Sequence, residues 1–261
     1  MGKTIVVSNL KGGCGKSFTA ASLSFGLAMK GAKVLAIDAD PQGSLTVSFG
    51  IHEPDALQNT LESVMSSIIT GTEHNPLSGI ITHSEGADLL PANITLTGTE
   101  LTLVSVLGRE TILRQYIEKV KPLYDWIIID TSPSLGLLTI NALAAADSVL
   151  IPMIPKYLDA KGLELLLKTI SQIRRQINPN LVINGILQTM VEKRAKSTRG
   201  IISLIENTYG NKIRIFGEHI PRSVRASEST EQGISIFAYE PNGKLASAYA
   251  ALINKVVSYA A

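Results

Sequence analysis

Short apolar runs alternate along the chain with longer stretches whose apolar residues recur at helical spacing. The runs predict strands over residues 4–8, 34–38, 88–90, 126–130, 148–152, 181–188 and 213–215. The helical stretches cover 16–30, 57–69, 97–121, 137–145, 159–177, 198–209 and 243–257. Several of the strands, such as Trp126-Ile127-Ile128-Ile129, are apolar on both faces, as a buried parallel sheet requires. Strand and helix in alternation predict an α/β fold, a doubly wound, mostly parallel sheet with helices on both faces. No repeat or linker interrupts the pattern, so residues 1–261 read as one domain, with 71–86 a loop-rich insertion.

Composition narrows the classes. Hydrophobic residues make up 45% of the 261 residues and charged ones 18%, which excludes a disordered chain. A single cysteine rules out an internal disulfide or a CxxC metal site, and suggests a cytosolic protein. Nothing at the N-terminus resembles a targeting segment, and no run is long enough to span a bilayer. The C-terminal stretch 245–261 carries Ala, Ser and Tyr where a membrane-surface helix would carry Lys and Arg, so it reads as a helix packed on the core. The formal net charge of +2 is too small to mark a polyanion binder unless the charge is local.

The sharpest chemical signal is Lys11-Gly12-Gly13-Cys14-Gly15-Lys16-Ser17, between a predicted strand and a predicted helix. Such a loop turns backbone N–H groups toward a phosphate at the positive end of the helix dipole. Lys16 would reach the β- and γ-phosphates, and the Ser17 hydroxyl would ligate Mg²⁺. Leu10 stands where the ordinary phosphate-loop pattern has its first glycine, and an extra lysine, Lys11, takes its place in the signature. Two strands end in acids: Asp38 and Asp40 precede a Pro41-Gln42-Gly43 turn, and Asp130 follows Ile127-Ile128-Ile129. Ligands of open α/β sheets lie at the carboxyl ends of the strands, so these acids would face the same Mg²⁺ and γ-phosphate. Cys14, beside a helix N-terminus and two lysines, is a candidate for slow oxidation or for a backbone-only role.

These residues resemble the deviant Walker A ATPases and, within them, the ParA family of partition ATPases of the Soj-like branch. The resemblance rests on KGGCGKS at 11–17, DADPQG at 38–43, LLPAN at 89–93, the segment 127–143, ADSVLIP at 146–152 and IPRSVRASE at 220–228. It implies an ATP- and Mg²⁺-dependent hydrolase, slow without its partner, that forms an ATP-dependent homodimer. It implies nucleotide contact at Lys11, Gly12, Gly13, Cys14, Gly15, Lys16, Ser17 and Phe18, with Lys11 reaching the partner subunit's nucleotide. Asp40 would position the attacking water, and Ser17, Asp38 and Asp130 would stand on the metal side. It further implies non-specific double-stranded DNA and a ParB-like centromere-binding protein as partners, in the cytoplasm and on the nucleoid, with no membrane. The start at the first strand implies that no N-terminal helix-turn-helix is present. Ser132 stands where the family usually has Pro, and Ile154 and Lys156 where it has Gln and Glu.

One segment concentrates basic charge. Residues 191–225 hold Lys193, Arg194, Lys196, Arg199, Lys212, Arg214, Arg222 and Arg225 against Glu192, Glu206 and Glu218, a formal +5. Without interleaved aromatics, its contacts would be to phosphate and indifferent to sequence. The resemblance makes Arg222, Arg225, Arg199 and Lys196 the candidate DNA contacts; an ordinary solvated face is the alternative. The four histidines, His52, His74, His83 and His219, lack ligand spacing and read as surface or loop residues. Three competing readings remain: a MinD-like membrane-associated positioning ATPase, a metal-cluster carrier, and a DNA-binding scaffold with silent ATPase chemistry.

Overall fold

The computed structural model describes residues 2–192 and 196–260; the side chains of 157–161, 196–199 and 260 lie outside the described residues. In chain order the elements are β1 (Lys3–Val7), α1 (Lys16–Ala28), β2 (Val34–Ala39), α2 (Ser44–Ser48), α3 (Leu61–Thr70), β3 (Ile81–Thr82), β4 (Asp88–Leu90) and α4 (Leu96–Leu103). They continue with α5 (Ile112–Val120), β5 (Trp126–Thr131), α6 (Leu137–Ala145), β6 (Ser148–Met153), α7 (Tyr157–Gln176), β7 (Val182–Gln188) and α8 (Lys196–Tyr209). The chain closes with α9 (Arg225–Glu231), α10 (Ile236–Tyr239) and α11 (Lys244–Ala260).

The strands form one sheet in the order β3-β4-β2-β5-β1-β6-β7, parallel except for β3 at one edge. Period-two alternation sorts side chains onto two faces. Val6, Leu35, Ile37, Ile127, Ile129 and Val149 point to a core covered by α3, α5, α6 and α7. Ile5, Val7, Val34, Ala36, Ile128 and Leu150 point to the core beneath α1 and α11. Asp38 continues the 34, 36 alternation and Asp130 the 126, 128 alternation, and the two are register partners across β2 and β5. Both carboxylates therefore fall on the α1 face, at the strand ends where the glycine loop begins. At the opposite end of β5, Trp126 is buried, with the Lys3 ammonium 5.9 Å from its ring centre.

Four expectations need correction. The helix over 57–69 begins only at Leu61, because Pro54–Ala56 make a 3-10 turn and Leu57 is extended. The Ser63 hydroxyl accepts the Thr60 N–H at 3.0 Å and sets the later start. The single helix over 97–121 is two: Gly108 adopts φ 68°, and the Arg109 guanidinium donates to the Val104 carbonyl at 2.6 Å beyond the end of α4. Leu101, Val104 and Leu107, whose spacing suggested one long helix, point to solvent. The segment 213–215 contributes one bridge, Ile186 to Ile215, and no strand. Of the histidines, His83 is more than a loop residue: it packs edge-on against Phe25 and Phe49, with Nε2 3.0 Å from the Gly233 carbonyl. The short elements α2, β3, α9 and α10 carry too few residues to show a period.

α11 packs its Tyr249, Leu252, Ile253 and Val256 into the core beside α1, and Tyr249 Oη lies 3.0 Å from Thr19 Oγ1. The helices meet closely at Gly26, where an added Cβ would fall 2.1 Å from Ile253 Cδ1 and 3.1 Å from Phe237 Cε2. Gly26→Val is expected to destabilise the fold by about 1–3 kcal/mol through overpacking. Gly26→Ala is expected to cost less, because helix propensity gains ~0.5–1 kcal/mol over Gly and the Ile253 tip can swing. Urea unfolding of both variants checks the order.

Candidate nucleotide and metal site

The glycine loop leaves the buried β1 and is tied down at three points. Asn9 Nδ2 donates to the Pro152 carbonyl at 2.6 Å, and Asn9 Oδ1 accepts the Lys11 N–H at 3.1 Å. From the end of β7, the Thr189 hydroxyl donates to the Cys14 carbonyl at 2.8 Å. Gly13 and Gly15 take φ 70° and 81°, conformations that favour glycine. A Cβ on Gly12 or Gly13 would meet nothing within 4 Å, so their outer side is open to an approaching group. Lys16 is buried, and its ammonium donates to the Lys11 carbonyl at 3.3 Å, which holds the charge inside the loop. Lys11, Gly12 and Gly13 are exposed. Cys14 is fully buried with its thiol on the Lys11 carbonyl at 3.2 Å, so the expectation of a slowly oxidised thiol gives way to the backbone role.

The acids differ in how the chain treats them. Asp38 is fully buried and accepts three hydrogen bonds, from the Thr46 N–H and hydroxyl at 2.8 Å each and from the Asp40 N–H at 3.1 Å. Burial lifts its pKa to about 6 against those bonds, which lower it. Asp130 is equally buried, yet neither of its oxygens makes a well-formed hydrogen bond, and the Ser17 hydroxyl lies only close enough to favour its charge. Burial first and the Asp38 charge second hold its pKa well above the usual carboxylate range, and Ser17 and Lys16 offset this only in part. Asp40, nearly buried, accepts the Gln42 N–H at 3.0 Å. Among the described residues, no three His, Cys, Asp or Glu side chains are placed to hold a metal by themselves. The orphaned Asp130, facing Ser17 and Lys16, fits instead a hydrated cation that takes its other ligands from Ser17 and a phosphate.

A cavity of about 480 Å³ opens beside Gly15, with Phe18, Met190, Pro221, Arg222, Leu245 and Tyr249 on its walls. Its size and mixed lining suit a small planar ligand. A larger hollow of about 790 Å³ between α3 and α5, lined by His74 and Tyr116, contains none of the residues expected to contact nucleotide, metal or DNA. Sequence reasoning missed Asn9, Thr46 and Thr189, which brace the loop and its acids, and Met190, which lines the cavity. A threonine eight residues after Asp38 becomes meaningful only once α2 turns it back. Ser132 stands on the turn after β5, with its hydroxyl 3.0 Å from that of Ser134; Ile154 is half-buried and Lys156 exposed.

The basic residues do not form one bare patch. Arg222 pairs with Glu192 at 3.1 Å, and Arg225 with Glu228 at 2.7 Å and Glu240 at 3.8 Å. Arg214 covers the Tyr259 ring at 3.4 Å, and Glu218 pairs with Lys255 at 2.7 Å. Glu228 and Glu240 come from outside the 191–225 window, so the folded face carries less unpaired charge than the window suggests. Lys193 and Arg194 lie outside the described residues; Lys196 and Arg199 belong to α8, but their side chains lie outside them too.

A glycine loop between β1 and α1, with acids near the ends of the paired strands β2 and β5, defines a P-loop nucleotide hydrolase, and the family described as AAA domain matches residues 2–183. The chain is 38% identical over 260 residues to the sporulation initiation inhibitor protein Soj of Bacillus subtilis, covering 99% of each. It is 35% identical to the chromosome-partitioning ATPase Soj of Treponema pallidum, covering 99% of this chain and 98% of that one. It therefore belongs to the Soj/ParA family of partition ATPases. Among solved structures, cobyrinic acid a,c-diamide synthase from Mycobacterium smegmatis with bound ADP and magnesium superposes with a TM-score of 0.86 at 32% identity, over 99% of this chain and 95% of that one. That protein's name denotes another chemistry, so the fold alone does not choose the activity.

The raised acids have a stability consequence. A carboxyl whose pKa is higher in the folded state than in the unfolded chain binds extra proton in the folded state, so stability falls as pH rises through that window. For Asp38 the window runs from 3.8 to about 6, and Asp130 extends it upward. Asp130→Asn is expected to raise Tm at pH 7.5 without nucleotide, by ~2–4 °C for each kcal/mol relieved. The gain should shrink toward pH 4, and a fall in Tm at pH 7.5 would mean that the buried charge is already compensated.

Proposed function

We propose that this chain is a single-domain Mg²⁺-dependent ATPase that moves plasmid or chromosomal DNA, and that its ATP-bound dimer holds DNA without regard to sequence. The observation that carries the catalytic part is the unpartnered Asp130 carboxylate beside Ser17 and Lys16 at the mouth of the glycine loop. The open backbone of Gly12 and Gly13 cradles the phosphates, and Lys16 carries its charge to the β- and γ-oxygens. Ser17 and Asp130 would hold Mg²⁺, with Asp38 on the same side, and the ion would neutralise charge on the transferring phosphoryl group. Asp40 orients the attacking water, since phosphoryl transfer needs position and charge more than a strong base. Adenine takes the cavity between Phe18, Met190, Pro221 and Tyr249. Lys11, exposed at the rim, reaches the nucleotide of a second copy, so dimerisation reports the γ-phosphate.

The DNA-binding part rests on family membership and on the exposed segment carrying Arg222 and Arg225. Phosphate would have to displace Glu192 and Glu228 from these arginines, an exchange that solvent-exposed ion pairs permit. A ParB-like partner stimulates hydrolysis and releases the complex, in the cytoplasm and on the nucleoid. No helix among the described residues is long and apolar enough to cross a membrane, and α11 places its apolar face in the core.

Lys16→Ala is expected to abolish ATP binding, measured by calorimetry. Asp40→Ala is expected to keep ATP and slow hydrolysis by ~10²–10⁴-fold. Wild-type affinity in the first, or wild-type turnover in the second, counts against these roles. Arg222→Glu with Arg225→Glu is expected to abolish ATP-dependent DNA binding, with ATP affinity measured alongside because Arg222 also lines the cavity beside Gly15. The wild-type affinity should fall with salt at a log–log slope of roughly −0.9 per phosphate contacted. An unchanged slope in the double variant would move the DNA face elsewhere.

A further inference from the structure

We infer that Thr46 is a positioning residue for hydrolysis, one that fixes the turn bearing Asp40 through the Asp38 carboxylate. The inference rests on the ATPase reading above. Asp38 and Asp130 are register partners of equal burial, yet their surroundings divide the labour between them. The Oδ2 of Asp38 accepts both the N–H and the hydroxyl of Thr46, and its Oδ1 accepts the Asp40 N–H. Asp130 has no such partner. Asp38 is therefore largely committed to the chain, and Asp130 is the carboxylate left to face the metal.

Thr46 ties together more than one carboxylate. Its hydroxyl donates to Asp38 at 2.8 Å and accepts the Ala92 N–H at 3.1 Å. The Ala92 carbonyl, at 3.4 Å, is the poorer acceptor for the one hydroxyl proton. Three segments thus meet on one buried oxygen: the end of β2, the start of α2, and the connection after β4. Gly43, the residue at the head of α2, has no side chain to cap it, and Asp38 accepts the Thr46 N–H in its place. Asp40 lies inside the loop that this contact closes, with the Gly43 N–H on its own carbonyl at 2.9 Å. The phosphate loop is anchored elsewhere, through Asn9 and Thr189. Loss of the Thr46 hydroxyl should therefore loosen the water-orienting acid and leave the nucleotide seat intact. Misplacement by about 1 Å is enough to cost ~10²-fold in rate.

The test compares Thr46→Val, Thr46→Ala and Thr46→Ser with the wild type. Equilibrium affinity for Mg-ATP, the single-turnover hydrolysis rate and Tm are measured together. Val and Ala should each slow hydrolysis by about tenfold or more, as for the loss of a hydrogen bond to a charged group. ATP affinity should stay within about twofold, and Ser should restore the rate. Hydrolysis at the wild-type rate in Val or Ala overturns the inference. So does a Ser variant as slow as Ala, or a rate loss that tracks ATP affinity and Tm, because each makes Thr46 a merely structural residue. If Val does not fold, the pair Ala and Ser decides alone. A wild type that binds Mg-ATP but never hydrolyses it sinks the ATPase reading and this inference with it, whereas a working wild type with indifferent variants sinks only the inference.

Discussion

Asp38 and Asp130 face one another from adjacent strands, both out of reach of water, and negative charge so placed is costly. Much of the surrounding architecture answers that cost. Thr46 and the Asp40 amide are turned inward to hydrogen-bond the first acid. Lys16 is drawn from the helix end into the loop, within electrostatic reach of the second. What the chain leaves uncompensated is the charge on Asp130. On the proposed reading a cation there would offset that charge and tie occupancy of the site to its rigidity.

The strands were legible because burial on both faces leaves unbroken apolar runs, as in Ile127-Ile128-Ile129. The loop and its acids were legible because their chemistry is fixed by residue type and by position at strand ends. Failures came where packing overrides period. Leu101, Val104 and Leu107 have helical spacing but face solvent, and the break at Gly108 depends on a backbone conformation that spacing does not encode. α2 and α9 are too short to show a period, and Thr46, Asn9 and Thr189 act through contacts that exist only after the sheet forms. The family was legible through several separated motifs, and the Soj relatives agree with it across nearly the whole chain.

Charge was the least legible property. A linear window counts every residue near in sequence and none near in space. Glu228 and Glu240 return to Arg225 from beyond the window, and Glu218 turns toward α11. The field over this face is thus set by how α9, α10 and α11 pack. A polyanion would meet arginines already held in place by carboxylates, which favours exchange of partners over attraction to bare charge. Arg222 also lines the cavity beside the glycine loop, so that cavity and this face share a wall.

Trp126 is the chain's sole tryptophan, and it opens β5 while Asp130 sits near that strand's other end. Four residues of strand separate them by ~13 Å at about 3.3 Å per residue. The indole is buried beneath Lys3, on the α1 face but at the end of the sheet away from the phosphate loop. Its emission is therefore an optical record of the sheet's far margin. It reports loss of the core as the protein unfolds and stays nearly blind to events among the phosphates. For this molecule, a flat intrinsic-fluorescence trace on addition of nucleotide says where the chromophore sits and nothing about whether the loop is filled.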